Sequence, residues 1–451
     1  MPHEKFHYKS LEEVQAKAAE LGVSLPFAAD THILATPLTA GKVTFPNRLG
    51  IAPMEGADST PEGAPSDYTV RRYVNEAIGG SSVIWFEAIS IVEEGRSSKT
   101  QLLLTRDTLD EFKKMTAAVK EAGIKANGFA PYLIMQANHS GRYSNPGNKP
   151  APMIAYRHPI LEQYRAADDS CIVTDDYLKG LEEKFGEAAQ LAKEAGFDAI
   201  DIKSCHGYLL AELASAYNRP GEYGGSFENR FRLLKNGIRA AKVYEDDSFM
   251  VTARIGIYDG YAYPWGFGVS PESGTNPDLT EPIRLVRDLH NELGLSMVDL
   301  TMGNPYATTH VTRPFDFGKY EPDEHPFVGL ARMIHGIGDV KKAVPEMTVR
   351  ASAPSYLRAY ADLFTAGAVE QGLCDGMLFG RMAFADPDFA NEIIKQGRID
   401  PKRVCLTCGK CGDLIRAHKP TGCVIRDSKT FMPFYKEFLE IKKTQPANFR
   451  G

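Results

Sequence analysis

Short apolar runs, each closed by a turn and followed by an amphipathic stretch, recur along the whole chain. Eight of these runs read as strands, at 50–54, 83–88, 133–136, 199–203, 249–255, 297–301, 348–351 and 376–380. The intervening stretches read as helices, most clearly at 109–122, 177–195 and 279–293. The last two run into Gly196 and Gly294, and glycine adopts the left-handed C-terminal cap most easily. Strand and helix alternating without interruption predict a parallel α/β protein. Eight such units predict closure into a (β/α)₈ TIM barrel rather than an open sheet. The chain then divides into an N-terminal extension (1–33), the barrel (34–395) and a short cysteine-rich segment (396–451). Two long connections, 256–277 and 302–335, follow predicted strands and so fall on the face where such barrels keep their active sites.

Composition narrows the function. Hydrophobic residues make up 43% and charged residues 24% of the 451 positions, enough apolar material for one large core. A net charge of −6 argues against nucleic acid as a partner, since a binder shows a basic domain. No apolar run approaches the roughly eighteen residues of a membrane span. The charged start of the chain lacks the apolar stretch of a signal peptide, so a cytoplasmic location is expected. Seven cysteines, three scattered and four crowded near the end, do not make a disulfide framework.

Those four are Cys405, Cys408, Cys411 and Cys423, spaced by two, two and eleven residues. Four thiolates so placed suit a [4Fe–4S] cluster or a tetrahedral zinc ion. Zinc ribbons pair two Cys-x-x-Cys knuckles, a pattern absent here, which favours the cluster.

Further motifs sit at strand ends. Pro46-Asn47-Arg48 precedes the first strand, which runs into Ala52-Pro53-Met54. The third ends at Gln136, the fifth carries Arg254, and the eighth ends at Gly380-Arg381. The fourth continues as Lys203-Ser204-Cys205-His206-Gly207-Tyr208-Leu209-Leu210 and leads to Tyr223-Gly224-Gly225-Ser226-Phe227-Glu228-Asn229-Arg230. On these strings, from about Leu34 to Asp427, the sequence resembles the old yellow enzyme family. Within it, it resembles the NADH:flavin oxidoreductase branch that includes 2,4-dienoyl-CoA reductase and trimethylamine dehydrogenase.

The resemblance implies bound FMN. Gln136 and Arg254 would hold the pyrimidine edge, where reduction places negative charge. Pro53, Met54, Glu55 and Ala88 would line the other edge of the ring, and Gly380, Arg381 and Ser352 the phosphate. It implies Tyr208 as the proton donor and His206 as an anchor for a carbonyl oxygen. Lys203 stands where the family commonly has histidine, and its point charge should favour an anionic carbonyl or carboxylate. A buried ion pair of Lys203 with Asp201 is the structural alternative. Arg350-Ala351-Ser352 replaces the family's usual glycine pair, and the cysteine spacing is one residue shorter than is common in the iron–sulfur branch.

The activity implied is reduction of an activated C=C bond in an α,β-unsaturated carbonyl or carboxylate compound, with NAD(P)H or a protein electron donor as the reductant. The protein is expected to be a homo-oligomer. Two alternatives stay open. One is an amine (C–N) dehydrogenase using the aromatic loop at 258–267 as a bowl for a cation; the other is a flavin/iron–sulfur electron-transfer module.

Overall fold

The computed structural model of the protein describes residues 4–316 and 321–444. After the helix Leu11–Glu20 the chain forms an antiparallel hairpin, β1 (Leu38–Ala40) and β2 (Val43–Phe45). Eight parallel strands follow: β3 (Leu49–Ile51), β4 (Val83–Ser90), β5 (Tyr132–Asn138), β6 (Ala199–Ile202), β7 (Met250–Gly256), β8 (Met297–Thr301), β9 (Thr348–Ser352) and β10 (Gly376–Phe379). They close in sequence order, β10 pairing with β3, so the fold is the expected TIM barrel. The expected helices are present at Leu109–Asn127, Asp175–Glu194 and Thr280–Asn291. Gly196 and Gly294 do take positive φ, +86° and +65°.

The interior is layered because side chains two apart on a strand face the same way. The lowest layer is apolar: Val83, Trp85, Ile134, Ala199, Met250, Met297 and Leu378 pack together. Leu38, Ala40 and Phe45 from the hairpin join the same cluster and plug that end. The period-2 reading did not single out this hairpin. Its signal is Gly41, which turns the chain at φ +55°.

One layer above, the barrel becomes polar. Gln136 pairs in register with Asp201, and Arg254, Asp299 and Arg350 share one register across β7, β8 and β9. All five are buried. Buried polar groups are tolerated only where they bond one another or a ligand.

The Tyr223–Arg230 string serves as scaffold. Ser226 caps the short helix Phe227–Arg230 through the Asn229 N–H. Buried Arg230 donates to the Ala214 carbonyl at 2.6 Å and pairs with Glu281 at 2.5 Å, fixing the helix that follows Tyr208. Beneath it, Arg142 and Glu212 form a fully buried ion pair, Arg142 Nε donating at 3.0 Å.

The cysteine-rich segment folds back over the β10–β3 seam. The Thr421 N–H donates to the Gly56 carbonyl at 2.8 Å, Arg71 pairs with Asp427 at 2.8 Å, and the Tyr68 and Phe434 rings meet edge-on.

Candidate active site and cysteine cavity

The mouth of the barrel is built from the C-terminal ends of its strands. Asp201 organises the polar layer below it. Its carboxylate accepts from Trp85 Nε1 and Gln136 Nε2, both at 2.7 Å, and from the Arg254 N–H at 2.5 Å. These donors leave no place for Lys203, and the alternative Lys203–Asp201 ion pair does not form. Among the described residues Lys203 has no carboxylate within ion-pair distance, although only 6% of it is exposed. Its Nζ instead lies 3.9 Å from the centre of the Tyr208 ring. Burial pushes this lysine down to about 8, with Cys205 and Glu55 opposing the shift, so its charge is titratable rather than permanent.

Strand β6 stops at Ile202, so His206 and Tyr208 are not presented by strand alternation. A tight turn places them. His206 and Gly207 both take positive φ, +66° and +71°, and a Cβ on Gly207 would lie 2.0 Å from Asn304 Nδ2. His206 Nε2 lies 3.4 Å from Thr301 Oγ1. Burial, reinforced by Arg254, Lys203 and Arg313, pushes its pKa well below the usual histidine value and keeps the ring neutral.

The Tyr208 hydroxyl lies 2.9 Å from that of Tyr306, and the Tyr306 ring stacks on Tyr143 at 3.7 Å. Burial, Tyr306 and Glu55 push the Tyr208 phenol well above its ordinary pKa, so it carries its proton. Tyr306 is 42% exposed and links this pair to solvent. Glu55 also faces this group. Its Oε1 is buried without a hydrogen-bond partner, and burial together with Glu87 raises its pKa to about 8.

In the aromatic loop after β7, several groups are held by contacts outside the Tyr208 pair. Trp265 stacks near Tyr156 at 6.2 Å and its carbonyl meets His158 Nε2 at 2.9 Å, while the Tyr258 hydroxyl donates to the Thr275 carbonyl at 2.6 Å. The aromatic groups beside Tyr208 are Tyr143 and Tyr306, which pattern reasoning missed because they lie on irregular connections.

Two arginines stand together on the other side of the mouth. Arg381 donates to the Pro314 carbonyl at 3.2 Å, and Arg313 follows from the long connection after β8. Neither has an ion-pair partner among the described residues, and burial followed by Arg381 holds Arg313 down to about 10. Paired guanidiniums without carboxylates are a natural anion site. Ser352 Oγ lies 3.4 Å from Arg254 Nη2, and Gly380 lets the backbone approach Met54, whose Sδ would sit 2.9 Å from an added Cβ. Ala88 presents its carbonyl to Gln101 Nε2 at 2.9 Å. Pro53 lies between Ala52, bonded through its N–H to Phe379 O, and Met54.

Beyond Arg381, Cys405, Cys408, Cys411 and Cys423 line one cavity together with Phe384 and Arg426. All four thiols are free. Backbone N–H groups of Thr407 and Arg426 donate to the sulfurs of Cys405 and Cys423, both at 3.3 Å. Burial raises the thiol pKa values of Cys405, Cys411 and Cys423, while Arg381 acts in the opposite direction on Cys405 and Cys411. Among the described residues no three His, Cys, Asp or Glu side chains converge on a point that could hold a single metal ion. No helix among them is long and apolar enough to cross a membrane.

Known proteins agree with this architecture. A Bacillus subtilis NADPH dehydrogenase is 33% identical over 369 residues, covering 80% of this chain and 94% of that protein. A Bacillus velezensis NADPH dehydrogenase is 34% identical over 230 residues, but that match spans only 64% of the relative. Among solved structures, an old yellow enzyme homologue from Zymomonas mobilis superposes with a TM-score of 0.60 at 20% identity, over 81% of this chain and 94% of its own. A 2-naphthoyl-CoA reductase gives 0.71 at 18% identity over 90% of this chain, and a histamine dehydrogenase from Rhizobium sp. 4-9 gives 0.66 at 20%. This chain spans only 58% and 53% of those two longer chains, and at such identities the likeness concerns the fold. The family model described as NADH:flavin oxidoreductase / NADH oxidase matches residues 33–266, and the chain belongs to that family of flavin oxidoreductases.

Proposed function

We propose that the protein reduces the C=C bond of an α,β-unsaturated carbonyl or carboxylate compound, using FMN at the barrel mouth and electrons from NAD(P)H. The observation that carries this reading is Lys203, a buried cation without a carboxylate partner among the described residues, set against the ring of a proton-bearing tyrosine. An unpaired buried charge is costly, and an anionic ligand oxygen supplies the missing partner.

The residues present fit FMN. Asn138 Oδ1 at the mouth is buried without a hydrogen-bond partner among the described residues, and Arg313 with Arg381 offers guanidiniums to a phosphate. Gln136, Arg254, Pro53, Met54, Ala88, Ser352, Gly380 and Arg381 would hold the group, with Arg313 added to the set. Bound there, FMN supplies hydride to the substrate's β carbon.

The chain's own groups do the rest. Lys203 and the neutral His206 donate to the substrate oxygen and draw negative charge toward it. Tyr208 delivers its proton to the α carbon. Tyr306, hydrogen-bonded to Tyr208 and open to water, returns a proton to it.

The four cysteines fit a [4Fe–4S] cluster better than zinc. The four wall one cavity, and their spacing lacks the paired Cys-x-x-Cys knuckles of a zinc ribbon. The N–H groups directed at Cys405 and Cys423 sulfurs suit cluster ligands.

Anaerobic turnover of enoates, enones and amines tests the reading. Reduction of enoates supports it. Oxidation of amines alone would return the protein to C–N dehydrogenation, and turnover of neither class would leave an electron-transfer module.

A further inference from the structure

Directly beneath the mouth, three adjacent strands present an Arg–Asp–Arg row. Arg254, Asp299 and Arg350 occupy one register across β7, β8 and β9 and face inward. Asp299 and Arg350 are fully buried, and Arg254 is 5% exposed. Arg254 Nε lies 2.6 Å from Asp299 Oδ2. The contact is misaligned for a hydrogen bond, and neither Asp299 oxygen nor Arg254 Nε has any other partner. The Arg350 guanidinium has no hydrogen-bond partner among the described residues and lies 4.7 Å from the centre of the Phe45 ring. A scaffold ion pair inside a barrel would be expected to satisfy its oxygens. This carboxylate is held by charge alone, on the one residue whose charge the ring edge needs.

We propose that Asp299 is a positioning residue that governs how much of Arg254's charge reaches an anionic ligand edge at the mouth, by taking up a proton when that edge becomes negative. The inference rests on the FMN reading. Hydride from a reduced nicotinamide brings the ring two electrons and one proton. A second proton, from solvent, goes to Asp299, and its neutralised carboxyl releases Arg254 to the new negative charge. The groups facing Asp299 are Arg254, Arg350, Asp201 and, from the loop after β6, Cys205. Burial, against the pull of Arg254 and Arg350, raises Asp299 to about 7, which places the exchange in the neutral range.

The midpoint potential of FMN in the holoenzyme, followed by flavin bleaching from pH 5.5 to 9, tests this. Each proton taken up with the electron pair changes the reduced-to-oxidised ratio tenfold per pH unit, about 30 mV. The wild type should show two protons per electron pair in a window above about pH 7, falling to one at the acid end, where Asp299 is already protonated, and at alkaline pH, where it stays ionised. Asp299→Asn should show one throughout and favour the reduced form about tenfold at pH 9, ~30 mV more positive. If Asp299→Asn does not accumulate, Arg350→Gln reports on the same carboxylate, because losing that cation should move the bend to higher pH. An identical bend in the wild type and in a folded variant overturns the inference while leaving FMN binding intact. Failure to bind FMN at all overturns the functional reading beneath it.

Discussion

Lys203 makes the sharpest test of the substrate class. Replacing it with methionine keeps the length and apolar stem of the side chain and removes the charge. A hydrogen bond to a charged group contributes about 1.5–3 kcal/mol net, so an anionic ligand should bind Lys203→Met roughly ten- to 150-fold more weakly. Benzoate and benzamide share a shape and differ in charge, and flavin absorbance reads the binding of each. Burial lowers this lysine from 10.5 to about 8. Benzoate affinity in the wild type should therefore be flat below neutrality and fall about tenfold per pH unit above 8. Benzamide should show no such slope, and Lys203→Met should lose it for benzoate. Stability moves the other way. A lysine whose folded pKa is lowered binds its proton more readily in the unfolded chain. Its cost is therefore fully present below about 8 and disappears above its unfolded value of 10.5. The shift corresponds to at most about 3 kcal/mol, so Lys203→Met should melt higher at pH 7 and equally at pH 11. Equal weakening of benzoate and benzamide, or a lower melting temperature at pH 7, would refute the unpaired-cation reasoning.

Other consequences are open to measurement. Tyr208→Phe should leave flavin reduction by nicotinamide intact while slowing alkene reduction by about 10²–10⁴ in stopped flow; an unchanged oxidative half-reaction would clear Tyr208 of the acid role. Protein prepared without oxygen should release one FMN and contain about four iron atoms per chain, with Cys411→Ala losing the iron; stoichiometric zinc instead would make the site structural. Arg142→Leu should lower stability by about 3–5 kcal/mol, because it leaves Glu212 buried and unpaired, and chemical denaturation measures this. Gly207→Ala should abolish alkene reduction, since its Cβ would collide with Asn304 and its φ is positive, and activity near wild type would show that the turn adapts.

The barrel was legible because its signal is local. Each strand is an apolar run bounded by turns, and a strand's interior face repeats every second residue. That same alternation carried an unread message: Asp299 sits between Met297 and Thr301, and Arg350 between Thr348 and Ser352, all on inward positions. A charge on the inner face of a strand signals a polar layer. Tyr306, Arg313 and Tyr143 left no such trace, because irregular connections have no period and only the closed barrel brings them to Tyr208 and Arg381. Lys203 was recognised by its place in a motif, with an ion pair to Asp201 as the structural alternative. Proximity in sequence suggested Asp201, whereas three donors from β4, β5 and β7 already occupy that carboxylate.

The bond from Thr421 to Gly56 joins positions 365 residues apart, across the seam where the last strand meets the first. On a ribosome adding about 5–20 residues per second, the loop carrying Met54 and Glu55 waits roughly 20–70 s for the segment that secures it. During that interval β3 has one neighbour instead of two, and the mouth stays open toward the chaperones and proteases of its surroundings. Sealing of the first strand by the last, and docking of the cysteine segment over that seam, therefore both fall late in synthesis.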